Sequence, residues 1–383
     1  MLKRLRYLAI IVLTIVSVKA LPEPLFSSPL HFRALLAGNF GETRTKHFHS
    51  GIDIKTKGKE GKGIFAVGDG YISKVVENDP NIGNALFIQH PEGYVSIYCH
   101  LQRFIGNLHE NMKKKPVAKG QLIAVSGNTG ASEGPHLHLE LRDARTDECL
   151  DPLDYIVLDY LDKQPPVLHF IKVYPQDTLS HFDGHTSPHI FSSVNEENTR
   201  QKAVTSTKED WGTHMAWGKL AFSINAYDYM EGSNNKLGLH SIKCYVDNQL
   251  VFSRNMERFS ITDHTLADLT CDQEELLSNN KIFIYTWFPS TLPLQHNSLY
   301  TINRERGIIN IDHEKDYHLL YVLTDQQGNE SHYTFTIKGQ KEYKETKQQE
   351  NEEKVEKRHH EPIKKIHKRK PYKRKHKHKR KNR

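Results

Sequence analysis

Between residues 30 and 155 the apolar residues come in short runs, at 64–67, 71–76, 85–89, 94–101, 121–126 and 137–142, each closed off by turn residues. The punctuation is Gly68-Asp69-Gly70, Asp79-Pro80-Asn81, Pro91-Glu92-Gly93 and Gly127-Asn128-Thr129-Gly130. Runs this short, without the 3.6-residue period of an amphipathic helix, bury themselves as strands. Residues 30–155 are therefore predicted to be an all-β domain. A second β series starts at Lys219. Leu220, Phe222, Ile224 and Ala226 alternate with other positions, Ile242, Cys244 and Val246 follow, and further runs lie at 281–288, 307–311, 317–324 and 333–337. That spacing predicts an immunoglobulin-like β-sandwich over 218–340. Gln164-Pro165-Pro166 punctuates the boundary, and 156–217, polar and His-dotted from 176 onward, reads as a linker or long loop.

The formal charge of +7 describes neither part of the chain. Residues 357–383 hold 15 Lys/Arg and one acid, a local +14 that leaves −7 for the remaining 356 residues. From 341 to 383 the regular apolar positions stop, and a disordered, strongly basic tail is predicted. Such a run attracts anionic envelope polymers or lipids electrostatically. Only Tyr372 could stack on a base within it, so no nucleic acid partner is expected. At the other end, Lys3, Arg4 and Arg6 precede an eleven-residue run at 8–18, apolar apart from Thr14 and Ser17, that leads into Val18-Lys19-Ala20. Residues 1–20 read as a signal peptide, since about 11 residues at about 1.5 Å each do not cross a bilayer core of about 30 Å. An uncleaved anchor is the alternative. The four cysteines, Cys99, Cys149, Cys244 and Cys271, form no C-x-x-C pair. Export permits a Cys244–Cys271 disulfide, and buried free thiols are the other reading.

Three segments carry chemistry. They are His47-Phe48-His49-Ser50-Gly51-Ile52-Asp53, Tyr98-Cys99-His100-Leu101 and Gly134-Pro135-His136-Leu137-His138-Leu139-Glu140. As a strand, the third puts His136, His138 and Glu140 on one face and Leu137, Leu139 and Leu141 on the other. Two His two residues apart stand roughly 7 Å apart at their roots, so both can address one site without both binding a metal. The same alternation puts Tyr94, Ser96, Tyr98 and His100 on one face of the second segment. Val95, Ile97, Cys99 and Leu101 take the other, so that Cys99 points into the core, away from His100. The first segment pairs His49 with Asp53 around Gly51. One imidazole, one carboxylate and a His from a distant strand make a three-ligand zinc site with an open fourth position. With 24 His in the chain no single one marks a site; the ordered conjunction does. The acids and amides of 227–235 could bind Ca²⁺, but they do not follow the EF-hand spacing and read as a solvated turn.

Together the segments resemble the M23 (lysostaphin/LytM-type) metallopeptidase family. The likeness covers roughly 35–152, through His49-Ser50-Gly51-Ile52-Asp53-Ile54, the turn at 66–70, Tyr98-x-His100-Leu101, and Gly127-Asn128-Thr129-Gly130 leading into Gly134-Pro135-His136-Leu137-His138. The lead-in Asn39-Phe40-Gly41-Glu42-x-Arg44 and the long second β region resemble Bacteroidetes cell-envelope members. The resemblance implies an antiparallel β-sheet with a groove walled by loops. It implies one Zn²⁺ per chain on His49, Asp53 and His138, and His100 and His136 as catalytic residues lining the cleft. It places Arg44 and the loop 127–135 at the groove wall, leaves His47 outside the ligand set, and implies cleavage of peptide bonds in peptidoglycan stems or cross-links. Cys99 stands where the family usually has a small residue. The chain is thus expected to be an exported zinc endopeptidase of the periplasm, cell envelope or exterior. The alternative is a non-catalytic envelope protein that binds peptidoglycan or activates another wall hydrolase; all five expected positions are filled, which weighs against it.

Overall fold

The alternating runs do form strands, and their pairing creates the site. The structure, a computed structural model, describes residues 25–106, 114–193, 207–289, 299–302 and 304–342. The signal peptide and the basic run expected at the two ends lie outside the described residues. Among those described, no helix is long and apolar enough to cross a membrane.

The first sheet runs β1 (Leu36–Gly38), β2 (Ile52–Lys55), β7 (His136–Asp143), β5 (Tyr94–Phe104), β4 (Gly83–Gln89) and β3 (Gly70–Asp79). β6 (Leu122–Ser126) pairs with β5 off this path. β7 is central, antiparallel to β2 on one side and to β5 on the other. Its Leu137, Leu139 and Leu141 are wholly buried, and their cross-strand neighbours Ile54, Ile52 and Tyr98 join them in the core. Directly opposed residues share a face. His138, opposed to Asp53 and to Cys99, therefore stands with both on the other face.

Cys99 is a correction to the simple alternation. His100 has a left-handed backbone (φ 59°), and the β4–β5 register slips there. An extra residue of this kind is a β-bulge and resets the period of two. Tyr98 and Leu101 consequently share the main core, whereas Cys99 packs with Ala85 and Ile97 in a small apolar cluster on the His138 side. His100 is turned toward the other histidines, with its ring centroid 4.8 Å from that of His136.

Strands also run through part of 156–217, which the sequence marked as a loop. β8 (Val167–Pro175) and β9 (Lys208–Tyr227) pair antiparallel, because Leu168, Ile171 and Val173 find a core against Leu220, Phe222 and Ile224. Residues 194–206 lie outside the described set. The early part of β9 pairs in parallel with β13 (Glu330–Gly339), and β12 (Asp316–Thr324), β10 (Ser241–Val246) and β11 (Gln249–Asn255) continue that sheet. The chain is all-β in class, with a short helix, α1 (Gln273–Asn279), on the second region.

One apolar core runs through both regions up to Ile337. Phe259 stacks on Phe40 with centroids 4.8 Å apart and packs on Phe48, and the 258–259 strand pairs with Cys149–Leu150. All four cysteines are buried and free, so the suggested Cys244–Cys271 bridge is absent: the Cys271 thiol meets the Ala267 carbonyl instead.

Candidate metal centre

The β2–β7 ladder brings the first and third segments together. Gly51 permits this approach, because a Cβ there would strike the Leu139 carbonyl. His49 Nε2, Asp53 Oδ1 and His138 Nδ1 converge, with His49 and His138 nitrogens 3.0 Å apart and lying 3.2 and 2.9 Å from the carboxylate oxygen. The three residues are only 2, 6 and 8% exposed.

The outward-facing atoms fix which nitrogens carry protons. His49 Nδ1 lies 2.7 Å from the Asn39 carbonyl, which can only accept, so Nδ1 is the donor and Nε2 keeps its lone pair. His138 Nε2 donates to Glu140 Oε1 at 3.1 Å, which leaves Nδ1 with the lone pair. Glu140 is held ionised. Burial opposes this, but the hydrogen bond and charge of His138, the Arg142 guanidinium (2.7 and 2.9 Å) and the Ser50 hydroxyl (2.7 Å) outweigh it and push its pKa well down. Two imidazole lone pairs and a carboxylate oxygen thus face one another at about 3 Å, an arrangement that only a cation at the centre relieves.

Without a metal, that cation is a proton. Burial alone would lower the pKa of His138, but its bonds to Asp53 and Glu140 hold it at about 9. Burial takes His49 down to about 4. The carboxyl of Asp53, though buried, is held well below the usual range by His49, His136 and His138. The donor set fits a metal better than a proton. A tetrahedral zinc ion with bonds of about 2.0–2.1 Å holds its ligands roughly 3.3 Å apart, close to the separations here. Imidazoles oriented by a carbonyl and a carboxylate are the usual outer support of such ligands. The His49–Asp53–His138 group could therefore hold a metal ion.

His100 and His136 stand beside this group. His100 Nδ1 donates to the Thr129 carbonyl at 2.8 Å and His136 Nδ1 to the Gly134 carbonyl at 2.8 Å, so each ring has its Nε2 as the proton-accepting atom. His136 Nε2 lies 3.4 Å from Asp53 Oδ1. Burial, followed by the neighbouring His138 and His136, lowers His100 to about 4 and keeps it neutral at physiological pH. The burial of Cys99 pushes its thiol pKa well up, so it makes a poor nucleophile although it faces the histidines. His47 Nδ1 meets the Thr45 carbonyl, and His90 bonds the Asp69 carbonyl and Ser96, away from the centre.

Several supporting residues lie in the Asn39–Arg44 lead-in, to which the sequence reading gave no ligand-orienting role. Arg44 Nη2 binds the second oxygen of Asp53 at 2.7 Å and Glu42 at 3.1 Å, so Asp53 presents a single oxygen inward. Asn39, whose carbonyl orients His49, is clamped by both backbone groups of Gly238 (2.8 and 2.6 Å). A cleft of ≈ 820 Å³ opens over Asp53, His100 and His136, walled by Arg33, Lys57 and Ser132, and Asn235 of the second region reaches its edge.

Residues 47–152 match the family model described as Peptidase family M23. The peptidoglycan DD-endopeptidase ShyC of Vibrio cholerae is 35% identical over 128 residues, which is 32% of this chain and 28% of that protein. The peptidoglycan DD-endopeptidase ShyA of the same organism is 38% identical over 93 residues, 24% of this chain and 20% of that protein. The chain thus spans under a third of the length of these relatives. A zinc containing peptidase from Vibrio cholerae, solved by crystallography, is 30% identical and covers 34% of this chain and 40% of that one, at a TM-score of 0.30.

Proposed function

We propose, from the match of residues 47–152 to the M23 peptidase model, that this protein is an exported zinc-dependent endopeptidase cutting peptide bonds of peptidoglycan. The observation that carries the reading is the trio of inward-facing lone pairs on His49, Asp53 and His138, each fixed from behind by Asn39, Arg44 or Glu140. Zinc held there would polarise a carbonyl and lower the pKa of water.

The chain's own residues supply the rest. His100 Nε2 and His136 Nε2 accept or return a proton at the cleft floor, since their Nδ1 atoms are committed to backbone carbonyls. Arg33, Lys55 and Lys57 make the wall near Asp53 basic, which suits a peptide carrying free carboxylates.

Residues 30–155 act in this reading as the peptidase domain, and 218–340 as a β-sandwich that braces its groove. The basic tail at 341–383 would hold the enzyme on anionic envelope polymers or lipids, and deleting 357–383 should then weaken salt-sensitive retention on envelope material. Unchanged retention would leave the tail without that role.

The direct test is digestion of purified sacculi by the chain lacking residues 1–20. New amino groups should appear and a chelator should stop their release, with fragment masses identifying the bond. No release by fully zinc-loaded protein would instead favour a non-catalytic envelope binder or activator.

A further inference from the structure

A second group of oxygen ligands lies in the region that braces the groove. Carboxylate oxygens of Asp162, Asp228 and Asp325 come within 4.8 Å of one another. Asp325 and Asp228 are 1 and 2% exposed, and Asp162 is partly buried. This corrects the reading of 227–235 as a solvated turn, because its acid at 228 faces inward.

Buried carboxylates normally keep a cationic partner or a full set of donors. The charged neighbours acting on Asp162 and Asp228 are instead carboxylates: Asp325 and Glu231 bear on both, and Asp162 bears on Asp228. Asp325 takes the backbone and side-chain N–H groups of Asn329, at 2.8 and 2.7 Å, and Asp162 takes the Gln164 N–H at 3.1 Å. Asp228 Oδ1 is buried with no hydrogen-bond partner. Three acids, an orphaned buried oxygen and no nitrogen or sulfur ligand specify a hard cation with oxygen coordination. Burial and the flanking carboxylates hold Asp228 up at about 9, as expected of a group awaiting a counter-charge.

We propose that Asp162, Asp228 and Asp325 bind a calcium ion. Calcium accepts irregular sets of six to eight oxygens, whereas magnesium demands near-octahedral geometry, and three acids from three separate segments make an irregular set. The site would tie the stretch leaving the peptidase domain (Asp162) to the β12–β13 turn (Asp325) and to the root of the loop 228–238 (Asp228). That loop delivers Ser233 to Lys55 (2.8 Å), Asn235 to the Ala37 carbonyl (3.0 Å) and Gly238 to Asn39. Calcium would thus stiffen the support of β1 and, through Asn39, of His49.

The test is calorimetric and thermal titration of the zinc-loaded protein with calcium chloride, after passage over a resin that leaves the zinc content unchanged. Saturable binding of one calcium per chain with a rise in Tm is expected. Asp228→Asn and Asp325→Asn should each weaken it at least about tenfold while keeping the zinc content and circular dichroism of the parent, and magnesium chloride should not substitute. Absence of saturable calcium binding overturns the proposal, as does binding that both substitutions leave intact. A carboxyl–carboxylate pair sharing a proton would also overturn it, and would show as an Asp228→Asn protein more stable than the parent and indifferent to calcium.

Discussion

His138 lies directly opposite Asp53 across the β2–β7 ladder, and its Nδ1 stands 2.9 Å from the Asp53 Oδ1. Cross-strand register therefore builds the centre: a one-residue slip of β7 against β2 would turn His138 to the face opposite Asp53. The strand pairing and the metal chemistry are the same contact seen twice, and the consequences can be measured separately.

Glu140 fixes the tautomer of His138 without touching the metal position. Glu140→Ala frees the His138 ring and leaves Arg142 without the carboxylate oxygen that its Nε and Nη2 share. Zinc affinity, read by competition against a calibrated chelator, should fall by about 10–100-fold. Affinity equal to the parent would show that the ring needs no such support.

Gly51 is the close-approach point of the ladder. In Gly51→Ala the added Cβ meets the Leu139 backbone, which cannot swing aside as a side chain can. Loss of stability at or above the upper end of about 1–3 kcal/mol is expected, together with weaker zinc binding as Asp53 shifts. Denaturant unfolding of the zinc-free protein separates the two effects, and an unchanged midpoint would contradict the steric account.

Much of the centre could be read from the chain because a strand's period of two survives in β7: His136, His138 and Glu140 do share a face, with Leu137, Leu139 and Leu141 behind them. The same rule misplaced Cys99, because one left-handed residue at His100 resets the period and no local sequence pattern marks it. β8 and the start of β9 were hidden for another reason. The partners of β8 lie some fifty residues away, and strand identity there comes from burial against a distant neighbour. The clamp between the Asn39 side-chain amide and Gly238 spans 199 residues, and on the Gly238 side it uses only backbone N–H and carbonyl, which any residue there would supply.

Asp151 offers a pH test away from the metal. It caps the Pro152–Asp154 turn through the Leu153 N–H, and burial, then the charge of Asp154, push its carboxyl well above the usual value of 3.8. The unfolded chain ionises Asp151 near 3.8 whereas the native one keeps the proton. Its stabilising contribution is therefore complete below that value and is lost as pH rises through the higher native pKa. Asp151→Asn retains the cap acceptor and removes the titration. Its Tm should fall less than that of the parent as pH rises above the unfolded value of 3.8; parallel curves would place the pH dependence elsewhere.

The division of labour among the histidines is tested most directly by zinc content and turnover measured side by side in His138→Ala and His100→Ala. His138→Ala should retain no stoichiometric zinc. His100→Ala should keep one zinc per chain while losing about 10²–10⁴-fold in the rate of sacculus digestion, the range for a lost acid–base group. Equal loss of zinc in the two variants, or full activity in His100→Ala, would contradict the assignment of His49, Asp53 and His138 as the ligands and of His100 as the group that moves the proton.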